Sequence, residues 1–314
     1  MLKWSILKYL VLLCILTTCK LQPEIYPSNQ EDMKQIAETK FMNENQLNFL
    51  IRESFLTIST LFSNSIFGDV PKTYTPCGAK IDNSLLHKGL VNIIFNVEEI
   101  CNSSIARSGI VSIKSMKGDL RLWNIPNEII EISFDKISFF KKNLPFLELH
   151  GKLYLINTTS QPSVPYYSYE YVFTIRGDLI IKSFQEEKKC QIFRKINFKS
   201  QPSTINQSTS IVELTGDSLW NDKKISFLCY INNELDMIET IDDTVRYDLC
   251  SNVWTITKGE FSYYNSSNNN LYKIKYGLDS HGNTSKFPCL GNYFSISWKT
   301  ERSQTKTLIL EYNH

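Results

Sequence analysis

The chain has 314 residues, with 34 basic against 32 acidic and a formal charge of +2, so no net field favours nucleic acid or a strongly acidic substrate. Hydrophobic residues make up 42 % and aromatics 12 %, with 16 Tyr and 18 Phe, which excludes a disordered chain and leans toward strands. Beyond an export segment, the remainder suits one large β domain or two smaller ones.

Residues 1–18 have the form of a signal peptide: Lys3 and Lys8 stand at the front, an apolar run goes from Tyr9 to Leu16, and Thr17 and Thr18 precede Cys19. The run is shorter than the roughly 20 apolar residues that cross a bilayer. Leu16-Thr17-Thr18-Cys19 resembles a bacterial lipobox, which implies a diacylglyceryl thioether on Cys19 and a lipid anchor in the membrane. Each buried methylene contributes about 0.8 kcal/mol, so two or three acyl chains anchor a protein permanently. Residues 19–30, with Pro23 and Pro27, read as an extended tether.

Residues 31–66 form the next unit. From Asp32 to about Asn64 there is no Pro or Gly, and Leu47, Leu50, Ile51, Phe55, Ile58, Leu61 and Phe62 recur at helical spacing. The pattern predicts an amphipathic helix, broken near Asn43, ended by Gly68 and Pro71, and covering one face of a sheet.

Residues 67–314 read as an antiparallel β domain. Val91, Ile93 and Phe95, then Ile110, Val111 and Ile113, switch the period to two. Strands follow at 129–139, 147–156, 169–181, 191–198, 211–214, 224–231, 253–263, 271–276, 293–298 and 307–312. Turns are expected at 124–127, 161–165, 200–207, 264–270 and 279–286 from their Asn, Ser, Gly and Pro content. No helix-length apolar segment intervenes, so parallel crossovers are excluded and a large meander, as a curved sheet or a sandwich, is expected.

Six cysteines remain after Cys14 and Cys19. Sequence proximity suggests the disulfides Cys77–Cys101 and Cys250–Cys289, while Cys190 and Cys229 lie in strands as buried thiols or as a cross-strand bridge. There is no Cys-x-x-Cys pair, and His87, His150, His281 and His314 are scattered, so no metal or other cofactor is expected. Gly216-Asp217-Ser218-Leu219 spells the motif of a lipase family, but it stands late in a β chain. Asp279-Ser280-His281 has the wrong spacing to supply a base, so a hairpin turn through Gly216 to Asp222 is expected. Asp242, Asp243 and Asp248, and Glu186-Glu187 beside Lys188-Lys189, read as solvated turns rather than glycosidase carboxylates or calcium ligands. Trp4, Trp123, Trp220, Trp254 and Trp298 would form a sugar platform only if exposed. Asn102, Asn157, Asn206, Asn265 and Asn283 head Asn-x-Ser/Thr triplets, chance occurrences in a bacterial envelope protein.

The order of these features resembles a family of uncharacterised envelope lipoproteins of the Bacteroidota. The resemblance runs from the helix through Cys77, Cys101, Arg107-Ser108-Gly109-Ile110-Val111, Ile132 to Phe140 and Leu149-His150-Gly151. It continues through Val212 to Gly216, Cys250 with Val253-Trp254, Lys258-Gly259, and Tyr276-Gly277 before Cys289. The family's acidic turn is reduced here to Asp279. The resemblance implies the same compartment and fold and also favours Cys77–Cys101 and Cys250–Cys289. Together the readings point to a non-enzymatic lipoprotein of the outer membrane, on its periplasmic or surface face, serving as an accessory, scaffold or adhesion subunit of an envelope protein complex. A glycan-binding protein or glycosidase is one alternative. A carrier, in which the curved sheet and the helix shelter an acyl chain, is the other, and a solid core beneath the helix would remove it.

Overall fold

The computed structural model describes residues 30–61, 75–96, 105–160, 169–183, 186–201, 209–250, 253–266, 270–299 and 304–311. The signal peptide, Cys19, the tether, Gly68, Pro71, Cys101 and Trp4 lie outside the described residues. Helix α1 (Gln30–Leu61) runs unbroken through Asn43, without the expected break.

The strands are β1 (Ala79–Asp82), β2 (Leu90–Phe95), β3 (Ile105–Ser115), β4 (Ile129–Lys141), β5 (Leu144–Asn157), β6 (Tyr169–Ser183), β7 (Glu187–Gln201), β8 (Thr209–Gly216), β9 (Ser218–Trp220), β10 (Lys223–Ile231), β11 (Glu234–Cys250), β12 (Val253–Asn265), β13 (Asn270–Leu278), β14 (Tyr293–Lys299) and β15 (Thr305–Glu311). They form one 15-stranded antiparallel sheet, not a two-sheet sandwich. Neighbours follow chain order except at a fork. There β8 pairs with the far half of β7 and with β11, while β10 pairs with their near halves, so the two strands share one lane end to end.

Inward residues alternate along the strands, as Leu147, Leu149, Leu153 and Leu155 do on β5, and they join α1 in a single core. The helix touches β3 as well as β14 and β15, from opposite ends of the strand order, so the sheet curls around it. A one-sided stripe was expected of α1. Instead Gln46, Leu47, Leu50, Ile51 and the run from Glu53 to Ile58 are all buried, because the sheet wraps more than one face of this half.

Register fixes two unlike ends. One carries tight connections: Lys142-Asn143, the β6–β7 turn and Asn232-Asn233. The other carries longer ones, including residues 116–128 and 279–292. At this long-loop end Phe55 of α1 packs on Phe173 and Phe198, with ring centroids 4.8 and 4.6 Å away, and meets Trp123 edge-on. The first turns of α1 stand at the short-turn end, beside Ser183 and Glu186.

Candidate functional site

Between the first half of α1 and strands β5, β6, β7, β10 and β11 the core opens into a cavity of about 600 Å³. Ile36 and Leu47 line it from the helix, and Leu147, Leu149, Ile181 and Phe227 from the sheet. The Cys190–Cys229 disulfide forms part of the wall. These two residues face each other across β7 and β10, with Cα atoms 4.1 Å apart, which resolves the two sequence alternatives in favour of a cross-strand bridge.

The charged groups at the floor and mouth of the cavity, Glu239, Lys188 and Glu186, have partners. Glu239, 2 % exposed, accepts a hydrogen bond at 2.8 Å from Arg194, which is fully buried, and another from Ser226. Arg194 also donates to Asn48 of α1 at 3.3 Å and stacks 4.1 Å from the centroid of Phe227. One network thus ties helix to sheet behind the cavity. At the mouth, Lys188 bridges Asp236 at 2.7 Å and Glu186 at 2.8 Å. Burial acts to lower its pKa, but these two carboxylates outweigh it and hold the ammonium above the ordinary lysine value. Lys40 reaches across from the helix to the Met237 sulfur and lies 5.1 Å from the Tyr263 ring centroid.

The other singled-out residues do not converge here. Ser218 lies in β9 opposite Ile225, and the expected single turn through Gly216 to Asp222 is instead a bend, this three-residue strand and a tight Asn221-Asp222 turn. Asp217 pairs with Arg176 at 2.5 Å. Ser280 and His281 touch at 3.3 Å, yet the Asp279 carboxylate accepts from the backbone N–H groups of His281 and Asn283 and so closes a loop.

Asp242, Asp243 and Asp248 were expected in turns and lie within β11. Other strands supply each with a partner: Lys273 of β13 at 3.1 Å, and Lys258 at 3.3 Å and Thr257 of β12, respectively, Arg246 of β11 adding 2.7 Å to Asp248. Glu186 does stand at the β6–β7 turn, and Glu187 is the first residue of β7. No group of three or more His, Cys, Asp or Glu suited to a metal occurs among the described residues.

Trp123 and Trp298 are buried core, which takes both from any sugar platform. Asn157 is buried too, donating to the Trp123 carbonyl at 3.4 Å, and offers no glycan acceptor. Cys77 and Cys289 are each in a disulfide, both at exposed positions. Cys101 and the side chain of Cys250 lie outside the described residues.

Sequence reasoning singled out Cys190, Cys229, Glu186 and Lys188 for other reasons, but named none of the cavity's apolar wall residues, Ile36, Leu147, Leu149, Ile181 and Phe227, as a site. The signal of the strand residues among them was the period-two alternation that any core strand shows. No protein-family model, curated protein or solved structure matches the chain.

Proposed function

We propose that this chain is a non-enzymatic envelope protein, anchored in the outer membrane by a lipid on Cys19, that shelters the apolar tail of a small amphiphile beneath α1. The observation that carries the reading is the 600 Å³ cavity, whose sheet side is lined by Leu147, Leu149, Ile181 and Phe227 and whose helix side sets Ile36 and Leu47 among the polar Asp32, Gln35, Thr39, Lys40 and Asn43. Volumes of about 300–1,000 Å³, mostly apolar walls and a few placed polar groups are the common form of small-molecule sites. The charges at the mouth and floor that would attract an ion already have protein partners, so affinity rests on burying apolar surface. The core is solid around Phe55 but not around Ile36, and it is the open half that supports a carrier.

The test is titration of the purified full chain with a fatty-acyl probe carrying an environment-sensitive fluorophore. Saturable enhancement, reversed by unlabelled lysophospholipid, is expected; a linear, non-saturating response removes the reading. The lipobox, the Pro-containing tether and the resemblance to envelope lipoproteins support the anchor. Incorporation of labelled palmitate should vanish in Cys19→Ala, and unchanged labelling would sink that part.

A second reading, an accessory subunit of an envelope complex, is favoured by Phe287 and Leu290, 64 % and 66 % exposed on the loop before β14. Cross-linking in intact cells followed by solubilisation should return a partner that Phe287→Asp with Leu290→Asp loses. A protein that always runs alone leaves this reading without its basis.

A further inference from the structure

We infer that the short-turn end of the sheet, where the cavity opens, seats on a lipid surface through Leu144 and Leu235. This rests on the membrane-tethered carrier reading and adds to it the face that meets the bilayer. Leu144 follows the β4–β5 turn and is 63 % exposed; Leu235 follows the β10–β11 turn and is 37 % exposed. Hairpin tips in water are ordinarily polar, as the adjoining Lys142-Asn143 and Asn232-Asn233 are. Strand order puts β6 and β7, with the turn at Glu186, between these two hairpins, so the leucines stand on either side of the cavity mouth.

The chain itself indicates what covers them. α1 begins at Gln30 at this same end, 11 residues after Cys19 (30 − 19), and a fully extended chain of that length spans at most about 40 Å. A lipid on Cys19 therefore holds this end within one short tether of the bilayer, while Phe287 and Leu290 lie at the opposite end. Exposed charges around the mouth nearly cancel, with Lys141, Lys142, Lys182 and Lys189 against Glu31, Asp32, Glu186, Glu187 and Glu234. Attraction to anionic headgroups is correspondingly weak, and the contact is made by apolar tips entering the headgroup boundary. An amphiphile then passes between bilayer and cavity without its tail crossing water.

The experiment uses the full chain reconstituted in phosphatidylcholine vesicles containing a quencher-bearing lipid. Leu144→Cys, Leu235→Cys and Phe287→Cys are each labelled with bimane, and the unsubstituted chain serves as the labelling blank. Blue-shifted emission and quenching at 144 and 235, but not at 287, is expected, with less than a twofold change when anionic lipid is added. Quenching at 287, equal quenching at all three positions, quenching at none, or a strict need for anionic lipid overturns it. Acyl-probe titration on the same proteins separates the two readings. Saturable uptake with 144 and 235 in water sinks the docking alone, whereas docking without uptake sinks the cavity reading.

Discussion

A guanidinium with no exposure to water survives only if its charge is matched in place, and around Arg194 the match comes from Glu239, Asn48 and the face of Phe227. Replacing one partner leaves the other charged and buried. Arg194→Met is therefore expected to cost about 3–5 kcal/mol, read as a lowered urea midpoint, and Arg194→Met with Glu239→Leu should recover most of that loss. A double variant as unstable as the single one would show that packing rather than charge matching dominates there. Asp242 has a different dependence. Burial acts to raise its pKa, but hydrogen bonds from Ser262, Thr240 and Lys273, with the charge of Lys223, hold the carboxyl below the ordinary value. A carboxylate whose folded pKa is depressed contributes stability above its unfolded pKa, about 3.9, and loses it as pH falls through the folded value. The stability gap between the native chain and Asp242→Asn should be full at neutral pH and close below about pH 4 in urea titrations. A gap that widens on acidification contradicts this assignment.

At the scale of elements, close backbone approach decides where the sheet can bend. Gly177 on β6 has φ +155°, and a Cβ there would stand 2.1 Å from the carbonyl oxygen of Lys152 on β5. Gly177→Ala must shift one of two central strands, so a loss of at least about 1–3 kcal/mol is expected from backbone strain alone, measured by thermal or urea unfolding. An unchanged midpoint would mean that these strands yield freely. Much of this layer was legible: alternation marked β2 to β8, β10 and β12 to β15 because one face of each feeds the core. β11 was missed for a physical reason. Glu239, Asp242, Asp243, Arg246 and Asp248 interrupt its alternation, and cations and hydroxyls from other strands, with the Arg246–Asp248 pair along the strand itself, make a polar strand tolerable there. β1, four residues long, carries too little pattern to read. The turns at Lys142-Asn143 and Asn232-Asn233 were passed over because they lack Gly and Pro, although Asn accepts the positive φ that mirror-image hairpin turns require. The cavity walls are ordinary strand residues, and their gathering depends on how far the sheet curls, which alternation does not encode.

The whole molecule divides its labour along α1. At the long-loop end, Phe55, Trp123, Phe173 and Phe198 fill the space between helix and sheet. At the short-turn end, the same sheet stands off from Ile36 and leaves the cavity. Stability and binding should therefore respond to different residues. Phe55→Ala removes a fully buried ring from the solid half and is expected to cost about 3–5 kcal/mol while leaving acyl-probe affinity of the folded fraction unchanged. Ile181→Trp places bulk in the open half. It should weaken probe binding by about tenfold or more, equivalent to about 1.4 kcal/mol, with little change in the unfolding midpoint. The pair of measurements is informative because the two sites share one helix and one sheet but not one function. If Phe55→Ala lowers affinity as much as Ile181→Trp does, the two halves are mechanically coupled and the hollow is an extension of the core. If only Ile181→Trp does so, the gap under the first turns of α1 is maintained for a ligand, at the cost of the packing that another few large side chains would have supplied.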